Sequence, residues 1–163
     1  MKVWYSCKVK SNKEGDDGIL KQVTEAYLVD AVSYTDAESR IYEMMEINIA
    51  GEFSVTNITK TNISEVINYE DSDYWYKSKI TYSTVDADTE KEVKINSYYL
   101  VSAENVKQAY ERIEAALNSM LVPFEIPSVA LSNVVEVFPF QSSEEKIPDN
   151  LKPLSEVEKA EEE

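Results

Sequence analysis

Ala26-Tyr-Leu-Val-Asp-Ala-Val-Ser-Tyr-Thr-Asp-Ala-Glu-Ser-Arg-Ile41 decides the fold, because the chain repeats it 72 residues later as Tyr98-Tyr-Leu-Val-Ser-Ala-Glu-Asn-Val-Lys-Gln-Ala-Tyr-Glu-Arg-Ile113. Seven of the 16 positions are identical: Tyr27/Tyr99, Leu28/Leu100, Val29/Val101, Ala31/Ala103, Ala37/Ala109, Arg40/Arg112 and Ile41/Ile113. Chance would give about one, so the chain reads as an internal repeat. The echo continues outward at an offset of 71. Trp4-Tyr5 meets Trp75-Tyr76, Lys8 meets Lys79, Phe53 meets Phe124, Asn62 meets Asn133, and Glu65-Val66 meets Glu136-Val137. The one-residue changes in offset fall in loops, where length changes are tolerated.

Each copy carries the same order of periodicities. Val3, Tyr5, Cys7 and Val9 alternate with polar neighbours, the pattern of a strand with one buried face. Turn residues follow at 12–18 and 86–90, then second strands at 19–29 and 92–101. Helices come next. Thr35 and Glu38 fit a capping box in the first copy, and Ser102 is the expected cap in the second. Ala37, Ile41, Met44 and Met45 form one apolar stripe; Val106, Ala109, Ile113, Ala116, Leu117 and Met120 form the other. Gly51 and Pro123 close the helices. The last strands, 52–68 and 124–138, contain the polar pairs Thr61-Asn62 and Ser132-Asn133, which predict a bend, a bulge or a division into two shorter strands.

The expected fold is therefore α+β: a tandem duplication of a β-β-α-β unit, with two helices packed on antiparallel sheet about a pseudo-two-fold axis. The copies either share one continuous antiparallel sheet or pack face to face. Residues 1–70 make the first copy and 71–140 the second. Residues 141–163, with two prolines and no aromatic residue, read as a disordered acidic tail.

Charge and composition bound the function. The 163 residues carry 31 acidic and 16 basic side chains, a net −15. Residues 141–163 hold eight of the acids and three of the bases, which leaves −10 on the rest. Such a surface opposes nonspecific binding to duplex phosphate and suits a basic partner. Histidine is absent, which removes histidine relays and histidine metal ligands. Cys7 is the only cysteine, and neither a disulfide nor a thiolate zinc site can be built from one thiol. Three glycines do not make a phosphate loop. No apolar stretch has the length of a membrane span, so the expectation is a cytoplasmic, non-enzymatic protein without cofactor or metal.

The candidate binding residues come in pairs. Trp4, Lys8 and Lys10 share one face of their strand, as do Trp75, Lys77 and Lys79. Aromatic rings beside lysines can stack bases and hold phosphates, as in single-strand binders. The competing role is packing at the junction of strand and helix or between the copies. Arg40 and Arg112 are the only arginines and could grip carboxylates or phosphates; alternatively Arg40 simply pairs with Asp36 one turn away. The acids at 16–17, 71, 73, 86 and 88 fit no calcium loop and read as solvated turn residues. Cys7 reads as a buried small side chain.

Trp4-Tyr-Ser-Cys-Lys-Val9, Val23-Thr-Glu-Ala-Tyr-Leu-Val-Asp-Ala31, Gly51-Glu-Phe-Ser-Val55 and Val137-Phe-Pro-Phe140 together resemble an uncharacterised family. It is a domain-of-unknown-function family of small acidic proteins from Bacteroidetes and their crAss-like phages. The resemblance spans about residues 3–140. It implies a phage or mobile-element setting and brings no assigned activity or site residue. Three functions remain open: a single-stranded nucleic-acid binder with a regulatory acidic tail; an acidic adaptor or inhibitor of a basic host or phage protein; and a small-ligand sponge using Arg40 and Arg112. The oligomeric state is not readable from the sequence.

Overall fold

The computed structural model describes residues 3–139. The expected acidic tail at 141–163 lies outside them. The first half of the chain forms β1 (Val3–Glu14), β2 (Leu20–Ala31), α1 (Tyr34–Asn48), β3 (Phe53–Lys60) and β4 (Ile63–Ile67). The second forms β5 (Trp75–Val85), β6 (Glu92–Ser102), α2 (Val106–Leu117), β7 (Phe124–Leu131) and β8 (Val134–Phe138). Two helices and two four-stranded sheets make a mixed α+β fold.

The sheets are where the structure departs from expectation. The first runs β3-β1-β2-β8 and the second β4-β6-β5-β7. Each takes three strands from one half of the chain and its fourth from the other. The borrowed strands pair in parallel: β8 runs beside β2, and β4 beside β6. Of the two expected arrangements the face-to-face one is present, and what differs is that each sheet, otherwise antiparallel, has one parallel strand pair.

The cause lies at the polar pairs. Thr61 breaks the long last strand by giving both its backbone N–H and its hydroxyl to the Trp4 carbonyl, each at 2.8 Å. The same hydroxyl accepts from the Ile63 N–H at 3.3 Å. Ser132 repeats this on the Trp75 carbonyl, at 2.8 Å for both donors, and accepts from the Val134 N–H at 3.3 Å. A hydroxyl that bonds locally to backbone competes with the sheet ladder. The strand turns a corner there and its remainder joins the other sheet, so each half reads β-β-α-β-β rather than β-β-α-β.

Four layers result: α1, first sheet, second sheet, α2. Between α1 and its sheet lie Tyr5, Cys7, Val9, Tyr27, Val29, Ala37, Ile41, Met45 and Phe138. Between α2 and its sheet lie Tyr76, Ile80, Val101, Ala109, Ile113 and Leu117. A third cluster joins the sheets: Leu28, Ile63, Trp75 and Leu100 are buried, with Trp4, Val66, Val134 and Val137 against them. Alternation along β1 serves both sides, since Tyr5, Cys7 and Val9 face the helix and the residues between them face away.

The helices begin elsewhere than expected. Ser33 caps α1 by accepting from Asp36 N–H at 3.1 Å, and the Asp36 carboxylate accepts from Val32 N–H at 3.0 Å. Asn105 and Gln108 do the same for α2, at 2.8 and 2.7 Å, with Glu104 N–H as the second donor. These reciprocal bonds satisfy donors that a helix start leaves open, and they replace Thr35–Glu38 and Ser102. Of the expected stripes, Ala37, Ile41, Met45, Ala109, Ile113 and Leu117 are buried. Met44 and Met120 are half-buried, while Val106 and Ala116 are exposed.

The turns use the acids. Asp17 accepts from Ile19 N–H at 3.1 Å in the β1–β2 loop, where Gly18 takes a positive φ of 76° that favours glycine. Asp86 accepts from Asp88 and Thr89 N–H in the β5–β6 loop. β7 carries Pro127 where its register against β5 shifts, the place on an edge strand where a missing N–H costs least.

Candidate functional site

The two tryptophans stand at the corners. Trp75 is only 5% exposed, within the cluster that joins the sheets, and Trp4 is half-buried against the same cluster. Their carbonyls anchor Ser132 and Thr61, so position and packing are set together. Trp75 therefore offers no open ring face for a base to stack upon.

The lysines divide between the two sheets. Lys8 and Lys10 lie on β1 of the first sheet, exposed and half-buried, while Lys77 and Lys79 are half-buried on β5 of the second. Lys77 is occupied: it donates to the Asn62 side chain at 2.9 Å and its ammonium sits 5.0 Å from the Tyr98 ring centre. That cation–ring geometry is a stabilising contact.

The arginines have matching structural tasks. Arg112 on α2 donates to the Ser102 carbonyl at 2.7 Å and to Asp71 Oδ1 at 2.9 Å, and its second nitrogen pairs with Asp71 Oδ2. Its guanidinium also lies 4.0 Å from the Tyr69 ring centre. Arg40 on α1 donates to the Pro139 carbonyl at 3.1 Å. Each arginine holds the segment that follows the borrowed strand of its own sheet. Asp36 serves the cap instead of pairing with Arg40.

The Arg112 hydrogen bond holds the Asp71 carboxyl below its ordinary value, against a smaller opposing effect of desolvation. A lowered folded pKa means a contribution present in full above the ordinary carboxylate range and lost as pH falls through the folded value. Asp71→Asn is thus expected to unfold at lower urea than the parent near pH 7. The gap should narrow as pH falls below the ordinary aspartate value near 3.9. A gap of equal size on either side of that value would remove the pair from the stability account.

Cys7 is fully buried, and burial pushes its thiol up to about 12, so it stays protonated and packs as a small apolar group. The borrowed strands also place Glu136 opposite Tyr27 and Glu65 opposite Tyr99. Both phenols are raised, first by burial and then by those carboxylates among others.

Two clefts open at the corners. One, of about 530 Å³, is lined by Val3, Trp4, Asp30 and residues 61–66. The other, of about 910 Å³, is lined by Asn68, residues 70–75, Glu104 and residues 132–136. Neither arginine lines them, which separates the clefts from the expected arginine pockets. The larger is acidic: Glu70, Asp71, Asp73, Glu104 and Glu136 border it, and among the described residues no lysine or arginine does. The smaller has Asp30 and Glu65. Among the described residues, no group of three or more Cys, Asp or Glu is placed to hold a metal ion, and no helix is long and apolar enough to cross a membrane.

The larger cleft escapes a reading of the sequence because its wall is the connection between the halves. Asp71 and Asp73 look like turn acids, and in part they are. The available signal was a Tyr-Glu-Asp-Ser-Asp-Tyr run at 69–74, dense in acids and tyrosine for a plain connector.

Neither the comparison with curated proteins nor that with solved structures finds a match. Residues 3–140 match the family model described as a domain of unknown function, DUF4494, and the chain belongs to that family.

Proposed function

We propose that this protein is a non-enzymatic binding module whose acidic surface occupies a basic surface of another protein. The observation that carries this reading is the location of Trp75, whose buried ring removes half of the only tryptophan–lysine pairing suited to single-stranded nucleic acid. With net −10 before residue 141, phosphate would be repelled rather than gathered. A cationic protein surface gains from the same field, in encounter rate and in choice of partner. The phage or mobile-element setting in a bacterial cytoplasm suits such an adaptor or inhibitor.

We infer that the two halves are copies of one ancestral unit. In support, the cap pairs, the corner hydroxyls and the tyrosine–glutamate pairs recur at offsets of 71 or 72.

The test is a titration of the full chain with a decalysine peptide and, separately, with a thymidine oligonucleotide, at low and moderate salt. Peptide binding that weakens as salt rises, with no response to the oligonucleotide, is the expected result. Tight oligonucleotide binding with no response to the peptide would overturn it and restore the nucleic-acid reading.

A further inference from the structure

We propose that the larger corner cleft is a docking groove for an extended peptide segment that alternates lysine or arginine with apolar residues. This rests on the binding-module reading above and assigns its site.

The groove combines two chemistries. Its apolar lining includes Tyr74, which is 57% exposed, the edge of Trp75, and Val134 and Val135. The same lining carries Glu70, Asp73, Glu104 and Glu136, which make no ion pair among the described residues, whereas Asp71 is paired with Arg112. A cleft that combines exposed apolar surface with carboxylates is the complement of an extended chain with alternating side chains: one set meets the apolar lining and the other meets the acids. Among the described residues no three carboxylates are placed to hold a metal ion, so a single cation is a poor fit.

The wall is built in advance. Tyr69 N–H donates to the Ser102 hydroxyl at 2.7 Å, the Ser72 hydroxyl donates to the Ala103 carbonyl at 2.7 Å, and Tyr74 N–H donates to Ser72 at 3.1 Å. The Arg112–Asp71 pair fastens the same segment to α2. Ordering already completed before binding does not have to be repeated at the moment of binding.

The other corner is an internal control. It has the same hydroxyl clamp on a tryptophan carbonyl, yet its cleft is smaller, has Ser64 where Val135 stands, and carries two acids. The corner itself is therefore a feature of the fold, and the acidic apolar groove is particular to one of the two.

The probe is a fluorescein-labelled nonapeptide alternating lysine and valine, titrated into the full chain and read by polarisation. Two charge-matched variants are compared: Glu70→Gln/Asp73→Asn/Glu136→Gln in the groove, and Glu38→Gln/Glu43→Gln/Glu46→Gln on α1. Urea midpoints within error of the parent confirm that each is folded. The groove variant is expected to bind at least about tenfold more weakly, and the helix variant less than about threefold more weakly. Tyr74→Ala, which removes an exposed ring and no charge, should also weaken the alternating peptide while leaving decalysine unchanged. Equal losses in the two charge variants, or none in the groove variant, would overturn the site and leave the acidic-module reading standing. Failure of the parent to bind either peptide would end both.

Discussion

Trp75→Ala is expected to lower the unfolding free energy by about 3–5 kcal/mol, the range for removing a buried indole. The ring fills the junction between the sheets with Leu28, Leu100 and Ile63. The hole it leaves has little room to collapse. On one side the Trp75 carbonyl is tied twice to Ser132, and on the other the residue pairs with Ser102 on β6. Trp4→Ala should cost less, because that ring is half-buried. Urea unfolding of both variants measures the difference. A loss under about 1 kcal/mol for Trp75→Ala, the size of an ordinary surface change, would put the indole outside the core.

The second large effect is at Leu100, fully buried in the same cluster: Leu100→Ala should cost about 2–5 kcal/mol. Its use is diagnostic when combined with Leu28→Ala. The two leucines come from different halves of the chain and share one cluster, so their losses should couple by about 0.5–3 kcal/mol in a double-mutant cycle. Ile41→Val and Ile113→Val lie in the separate helix-facing cores, and their smaller losses should add within about 0.5 kcal/mol. Additive leucines or coupled isoleucines would contradict the division into three cores.

Much of this was legible in the residues. Alternation in Val3–Val9 and the stripe Ala37-Ile41-Met45 identify a strand and a helix and say which side each buries. The pairs Thr61-Asn62 and Ser132-Asn133 mark where the last strands break. What alternation does not contain is the neighbour. A period of two says which residues of the 134–138 stretch share a face, and that would hold equally beside β7's own sheet or beside β2. The cap was ambiguous for a local reason: Ser33-x-x-Asp36 and Thr35-x-x-Glu38 both fit, two residues apart. The recurrence of Arg40 and Arg112 was plain, but their targets, Pro139 and Asp71, lie 99 and 41 residues away. The groove was hidden for the same reason, since its floor and wall are separated by about 60 residues of chain and meet only through the crossing at Ser132.

The borrowing of strands also governs the order in which the protein can be made. β2 is complete by Ala31, yet its outer edge waits for β8, and Ala26 meets Val134 about 108 residues later. During synthesis the amino-terminal sheet stands three strands wide, with one flank unpaired, until nearly the last described residue has left the ribosome. Its closure is a long-range event, and long-range pairings are the slow ones. The nascent chain is thus most open to wrong pairing, with itself or with a neighbour on the same messenger, throughout the translation of its second half, and a premature stop anywhere before Val134 leaves that flank bare.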